Sequence, residues 1–464
     1  MIWKNYKIGD FLTRSKEPVK IKQQEEYTLV TIRMYHKGVA KRSHVKGSSI
    51  KSPNLYKVRA GQFILSGIDA RNRAFGIVPD GLDGAVVTND FWTHNIDISI
   101  IDINFFYWFT TTPQFYEACI KASEGTTNRQ RLQADKFYSF DVFLPSIDEQ
   151  KEWVEKISYI QNKHEQLNKE LDQQQTYLQL LRQTILQEAV QGKLTNQDAK
   201  EEPATELLKR IKAEKEKLIK AGKLKKEKEQ PPITEDEIPF ELPKGWVWCR
   251  LIEIISLMDA GWSPACIEIP APENNWGVLK TTAVQQMEYL ENENKELPEK
   301  LKPKEHYETK VGDILITRAG PFNRVGVCCL VEKTRNKLMI SDKIIRFHLF
   351  DEKVSSKFIT LCLNTGESRK YIESKKSGMA LSQVNISQDN LKATPIPLPP
   401  LAEQQRIVAK VQQLQHQLSQ LETQVQQSRQ YAQQLLQSVL KEAFEEKGKV
   451  YEMGEEKVGM VAEE

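Results

Sequence analysis

Two stretches of this chain repeat one another without a gap, and that repeat limits the fold more than any other feature. Residues 144–189 and 398–443 align at a constant offset of 254 positions. The first opens LPSIDEQKEWVEKI and the second LPPLAEQQRIVAKV. Identities continue through Gln166/Gln420, Leu167/Leu421, Tyr177/Tyr431, Leu181/Leu435 and Leu186/Leu440 to Glu188/Glu442 and Ala189/Ala443. Each copy begins at a proline-bearing turn with an acidic residue. It then runs for about eleven helical turns, at 3.6 residues per turn, without an internal Pro or Gly. Two long helices are expected.

In the second copy Ile407, Val411, Leu414, Leu418, Leu421, Val425, Ala432, Leu435 and Val439 fall on alternating three- and four-residue steps, with Ser428 the only polar member. The first copy carries Trp153, Ile157, Ile160, His164, Leu167, Leu171, Gln174, Leu178, Leu181 and Ile185 in the same register. This is a coiled-coil spacing. Two such seams in one chain imply one helix pair, although packing of each helix on its own lobe, or pairing across a homodimer, stays open.

A region of domain size precedes each helix, and the two regions look related. Gly61-Gln62-Phe63-Ile64-Leu65-Ser66 corresponds to Gly312-Asp313-Ile314-Leu315-Ile316-Thr317. Arg71-Asn72-Arg73 with Gly76 corresponds to Phe322-Asn323-Arg324 with Gly326. Short β-branched runs between Gly, Asp and Asn turns read as strands. The expected order is a first lobe (1–143), a first helical spacer (144–194), a charged helix and linker (195–232), a second lobe (233–397), a second helical spacer (398–448) and a flexible tail (449–464).

At 464 residues the chain exceeds one ordinary core. With 39% hydrophobic and 28% charged residues and a mean hydropathy of −0.53, it has the composition of a globular protein. No stretch has the apolar length of a membrane span, and the start lacks the basic-then-apolar order of a signal peptide, so a cytoplasmic protein is expected. Six cysteines show no paired spacing and read as reduced, mostly buried thiols. A net charge of +3 points to no polyanion by itself, so any nucleic-acid surface must be local.

The motifs LPSIDEQ and LPPLAEQ, each opening a Gln-rich helix behind a variable lobe, resemble the specificity subunits of type I restriction-modification enzymes. GQFILSGIDARNRAFGIVPDGLDGAVVTNDF at 61–91 resembles one branch of that family's target recognition domains. GDILITRAGPFNRVGV at 312–327 with SGMALSQVNIS at 377–387 resembles another. The resemblance implies two α/β (mixed α+β) target recognition domains joined by two long antiparallel coiled-coil helices in a pseudo-twofold repeat. Each domain would read one part of a split, asymmetric site in double-stranded DNA. The helices would set the spacing and dock two modification (methyltransferase) subunits, with restriction/translocase subunits joining through the complex and no membrane partner. This chain would be non-catalytic and bind no cofactor. S-adenosylmethionine, ATP and magnesium would serve the partners.

The alternative, a standalone nuclease or methyltransferase with an unrecognised site, needs signatures that these residues do not supply. An adenine methyltransferase needs an Asn/Asp-Pro-Pro-aromatic turn, but Pro231-Pro232 and Pro399-Pro400 are followed by Ile233 and Leu401. No phosphate-cradling G-x-x-x-x-G-K-[ST] occurs. Asp80 and Asp83 are the best nuclease-like pair and read more simply as a tight turn. No residue stands out as catalytic or as a metal ligand.

A DNA reader needs cations for phosphates and planar or short polar side chains for base edges. Three places supply that mixture. The first is RMYHKGVAKRSHVKGSSIK, where Arg33, His36, Lys37, Lys41, Arg42 and Lys46 crowd a loop without one acid. The second is Thr126, Thr127, Asn128, Arg129, Gln130 and Arg131, matched in the second lobe by Ser382, Gln383 and Asn385. The third is Arg71, Asn72 and Arg73, matched by Arg318, Asn323 and Arg324.

Two equivalent lobe-helix units facing one duplex run their helices antiparallel. Centring the pair at residue 169 sets His164 opposite Ser428, Leu167 opposite Val425, Leu171 opposite Leu421 and Gln174 opposite Leu418. The two polar seam residues, His164 and Ser428, are expected to meet and fix the register.

Overall fold

The computed structural model describes residues 3–52, 54–124, 130–227, 230–238, 240–350 and 353–444. The chain divides into two compact units, one built from residues up to 172 with those from 426 onward, the other from 173–425. The mixed α and β class expected from the sequence holds in both.

In the first unit, Leu12–Ser15, Phe91–Ile96, Phe63–Ser66 and Phe75–Ile77 form an antiparallel sheet in that spatial order. Two helices cover it, Ile103–Phe109 and Pro113–Lys121. Their starts are encoded locally: Asp102 accepts from Asn104 N and Phe105 N, and Thr112 caps a helix with proline in its first turn. Between the layers lie Phe11, Phe63, Phe75, Phe106, Phe115 and Phe137, all essentially inaccessible. A second, five-stranded sheet ends in the hairpin Glu26–Ile32 and Val39–Lys46.

The second unit repeats the plan. Ile255–Ala260, Ile344–Leu349, Ile314–Thr317 and Cys328–Leu330 form a sheet of the same order, again packed by two helices, Ser356–Asn364 and Gly366–Ser374. The sequence matches 61–66 with 312–317 and 71–76 with 322–326 thus fall on equivalent strands and turns. The charged helix Ala204–Lys220 is docked through buried Ala204, Leu207 and Ile211 and through Lys215 Nζ, which donates to Ile252 O at 2.6 Å. Five of the six thiols are buried, with Cys266 partly exposed. No helix among the described residues is long and apolar enough to cross a membrane.

Ile147–Val190 and Leu401–Phe444 are the two long helices. Each is anchored at its start by the glutamine of its LPSIDEQ or LPPLAEQ motif. Gln150, fully buried, donates through Nε2 to Ile100 O and Pro145 O, both at 3.0 Å, and accepts from Asp102 N at 2.8 Å. Gln404 donates to Pro399 O at 2.9 Å and accepts from Ser355 N at 2.8 Å. In both, the amide oxygen binds the residue that caps a domain helix. A buried amide satisfied in this way fixes both position and rotation of the helix start.

Within each unit the helices run antiparallel. Ile157 packs with Val439 and Ala443 in the first, where Lys156 also pairs with Glu442 at 3.6 Å and Asp172 with Arg429 at 2.5 Å. Arg182 pairs with Glu422 at 3.0 Å in the second. The register differs from the one expected, which would have set Lys156 against residue 436 and Arg182 against residue 410. His164 therefore does not fix the alignment with Ser428. Its ring nitrogen lies 3.2 Å from Asn168 Nδ2, one turn along its own helix.

The rotation also differs. Ile157, Leu171, Leu178, Val411, Leu418 and Val425 are buried, and Trp153, Ile160 and Leu414 are half-buried. Leu167, Leu181, Leu421 and Leu435 instead remain 36%, 47%, 46% and 54% exposed. Their expected places in the seam are taken by half-buried Asn168, Arg182, Glu422 and Leu436. Apolar residues flank the central stripe on one edge and mixed polar residues on the other. Two helices bury only one edge, and on that edge Arg182 and Glu422 pair across the helices.

Candidate nucleic-acid interface

The acid-free stretch of the first lobe is mainly a strand, not a loop. Val39–Lys46 is an edge strand paired with Glu26–Ile32, and the irregularity between Leu29 and Val30 leaves Arg42 unmatched in the ladder. Arg33, Lys37, Lys41, Arg42 and Lys46 are exposed and make no ion pair among the described residues. Charged residues on an edge strand protect it from pairing with another chain. Five unpaired cations also form a local positive field that the near-neutral chain as a whole lacks.

The turn joining these strands is held in an unusual conformation. Tyr35 and His36 have φ of 58° and 56°, in the left-handed region, before Gly38 at 79°. For residues with a Cβ this costs about 1–2 kcal/mol each. The compensation is visible: Tyr35 N donates to Asn72 O at 2.8 Å and His36 N to Arg73 O at 2.9 Å. His36 corrects the sequence reading. Its Nε2 lies 2.9 Å from Thr110 Oγ1 and its ring packs against Phe75 and Tyr107. Burial, with Arg73 adding to it, pushes its pKa below the usual value, so it is a neutral packing residue.

Those backbone bonds join the cationic hairpin to Arg71, Asn72 and Arg73. Arg71 in turn donates to Gln130 Oε1 at 2.8 Å. All three places named from the first-lobe sequence therefore contribute to one contiguous surface. Asn72 donates to Asp69 at 3.2 Å, and Arg73, itself left-handed at φ 57°, lies over the Tyr116 ring at 4.4 Å. Arg131 is engaged by Asp90 at 2.8 Å, an exposed pair of small energetic worth. Thr126, Thr127, Asn128 and Arg129 lie outside the described residues. Sequence reasoning missed Asp69, which lines an open cleft of about 500 Å³ beside the turn together with Arg33, Met34, Tyr35 and Lys37.

In the second lobe, Ser377–Ala380 and Gln383–Asn385 form a hairpin, and Ala319–Gly320 pairs with its second strand. Ile386 N donates to Arg318 O at 2.9 Å, and Phe322 N to Leu381 O at 2.8 Å. Arg318, Asn323, Ser382, Gln383 and Asn385 are thereby collected on one small sheet, Arg318 half-buried and the others exposed. Arg324 is a correction: it donates to Gln285 Oε1 at 2.7 Å and to the carbonyls of Thr281 and Val284, so its guanidinium holds the domain together. Asp80 opens a short turn and Asp83 accepts from Ala60 N at 3.0 Å, which gives both acids structural work.

The sequence pattern of the type I restriction modification DNA specificity domain matches residues 2–174 and again 275–428, one match in each lobe and its adjoining helix. The chain belongs to this family. It is 62% identical over 233 residues to the type I restriction enzyme EcoEI specificity subunit of Escherichia coli, and 34% identical over 240 residues to the EcoAI specificity subunit of the same species. Each alignment covers 50% of this chain and 39% of the relative, so the match spans well under half of either relative's length. Among solved structures, the HsdS subunit from Thermoanaerobacter tengcongensis aligns over 95% of this chain and 96% of its own, with a TM-score of 0.61 at 19% identity. A chain from a study of complex assembly and conformational transition in the type I R-M system aligns over 95% and 97%, with a TM-score of 0.65 at 19% identity. The family thus shares this fold: α/β domains with two long helices.

Proposed function

We propose that this chain is the DNA sequence-recognition subunit of a type I restriction-modification system. It reads a bipartite, asymmetric site in double-stranded DNA and directs adenine methylation and restriction by partner subunits, which use S-adenosylmethionine, ATP and magnesium. The observation that carries the reading is the convergence, in each lobe, of cations and short polar or amide side chains on one surface. The hairpin at 33–46 meets the turn at 71–73 and Gln130 in the first lobe, and in the second the sheet at 318–320 and 377–385 gathers half-buried Arg318 with Ser382, Gln383 and Asn385. The first surface is rich in unpaired cations, the second in amides and hydroxyls, so the two half-sites differ in sequence. Exchanging residues 1–143 for the corresponding lobe of another family member changes only one half of the methylated motif, as read by mapping methyladenine across a host genome. A change in both halves, or in neither, contradicts the modular reading.

The partner surfaces follow from the leucines that the helix pair leaves outside. Leu167, Tyr431 and Leu435 are exposed in the first unit, and their repeat equivalents Leu421, Tyr177 and Leu181 are exposed in the second. Apolar groups at these positions suit amphipathic helices of a partner. Two equivalent sets support two modification subunits. Tyr177→Glu with Leu181→Glu leaves thermal stability within about 0.5 kcal/mol, as expected of surface changes. It lowers the number of methyltransferase subunits bound from two to one by light scattering. Retention of two subunits places the docking surface elsewhere.

A further inference from the structure

We infer that Tyr35 is a stacking wedge, a side chain that inserts its ring against a base step of the first half-site and so contributes to specificity through DNA deformation. The inference rests on the DNA-recognition reading above and deepens it. Four observations converge on this residue. Its backbone is left-handed, and so is that of the next residue. The strained turn is pinned from behind by the bonds to Asn72 O and Arg73 O and by the packed ring of His36. The residue is nevertheless 69% exposed, beside Met34 at 44%. It lines a cleft with Arg33 and Lys37, and the strand that follows the turn carries Lys41 and Arg42; none of the four has a carboxylate partner among the described residues.

An aromatic ring that served the core would point inward, as His36 does from the adjacent position. A ring that served no purpose would not need a strained, doubly bonded turn to present it. Backbone strain held by its surroundings is a signature of a preorganised functional group. The flanking cations define the occupant: a polyanion whose phosphates they engage while an apolar ring meets stacked bases. Duplex DNA has both parts, and apolar or aromatic side chains inserted at a base step unstack it. The open cleft beside the turn is lined by Tyr35 with Met34, by the cations Arg33 and Lys37, and by Asp69.

The test uses the full chain without partners, so that base extrusion by a methyltransferase cannot contribute. The probe is a duplex carrying the motif found methylated in the host, with 2-aminopurine placed in turn along the first half-site. Tyr35→Gly removes the ring and suits the left-handed backbone, so its melting temperature is equal to or above that of the wild type. Its affinity is about tenfold weaker, with an unchanged salt slope, and the fluorescence change seen with the wild type at one base step disappears. Tyr35→Phe behaves as the wild type. Wild-type affinity and fluorescence in Tyr35→Gly overturn the wedge. Equal loss in Tyr35→Phe overturns it too, because the hydroxyl would then be the active group. A wild-type chain that binds no duplex, or binds with no salt dependence, contradicts the DNA-recognition reading itself.

Discussion

Replacing Lys37, Lys41, Arg42 and Lys46 together by alanine lowers affinity for duplex DNA about a thousandfold at 0.15 M salt. Each phosphate contact releases about 0.9 counterion, which at that concentration is worth about 0.7 of a decade in binding constant. Four contacts sum to roughly three decades, and the slope of log affinity against log salt becomes shallower by about 3 to 4. The loss is shared by cognate and unrelated sequences, because phosphates carry no base information. All four side chains are exposed and unpaired among the described residues, so the fold does not depend on them. Anisotropy titrations from 50 to 300 mM salt measure both quantities. An unchanged slope shows that the strand is only a solvated edge.

The second large effect is on stability against pH. His94 is fully buried in the first lobe, its Nε2 2.8 Å from Tyr138 Oη, and its Nδ1 has no hydrogen-bond partner among the described residues. On the neighbouring strand Arg14 is its register partner, with its guanidinium over Trp92 at 4.2 Å. Burial, and then the charge of Arg14, push the imidazole pKa down to about 3 from an ordinary 6.5. The folded lobe therefore holds His94 neutral while the unfolded chain takes up a proton below about pH 6.5. This contribution to stability is complete above pH 6.5, is lost progressively as pH falls, and stops changing below about pH 3. By pH 4 the loss is about 3 kcal/mol, or roughly 10 °C in melting temperature for a lobe of this size. His94→Gln keeps a group able to bond Tyr138 but cannot titrate, so its melting temperature declines less between pH 6.5 and 4. Parallel pH profiles for wild type and variant exclude a role for His94.

The helix seam shows where sequence reasoning stopped. The repeat was sufficient to find two long helices, and the recurrence of Gln150 and Gln404 in the motifs was visible but its cause was not. Each glutamine is a buried clamp onto a helix cap contributed by a distant part of its lobe, and it helps set the rotation of the helix that follows. That rotation turned Leu167, Leu181, Leu421 and Leu435 outward and brought Arg182 and Glu422 together. Periodicity recognised an apolar stripe but could not decide which of its two edges the partner helix would cover.

At the DNA-facing surface the division is similar. Composition alone located the cations at 33–46, because a run without acids is independent of how the chain folds. Side-chain type did not separate readers from packing residues. His36 and Arg324 have the chemistry of DNA ligands but meet Thr110 and three acceptors of their own lobe, respectively. By itself the sequence determined the duplicated plan, the long helices, the mixed α and β lobes and the family, all of which rest on local periodicity and on motifs contiguous in the chain. Only the tertiary structure decided the helix register, the outward leucines, the joining of residues 35–36 to 72–73 and the exposure of Tyr35. Each of these depends on contacts between residues far apart in sequence, whose geometry is set by packing and by the satisfaction of buried hydrogen bonds.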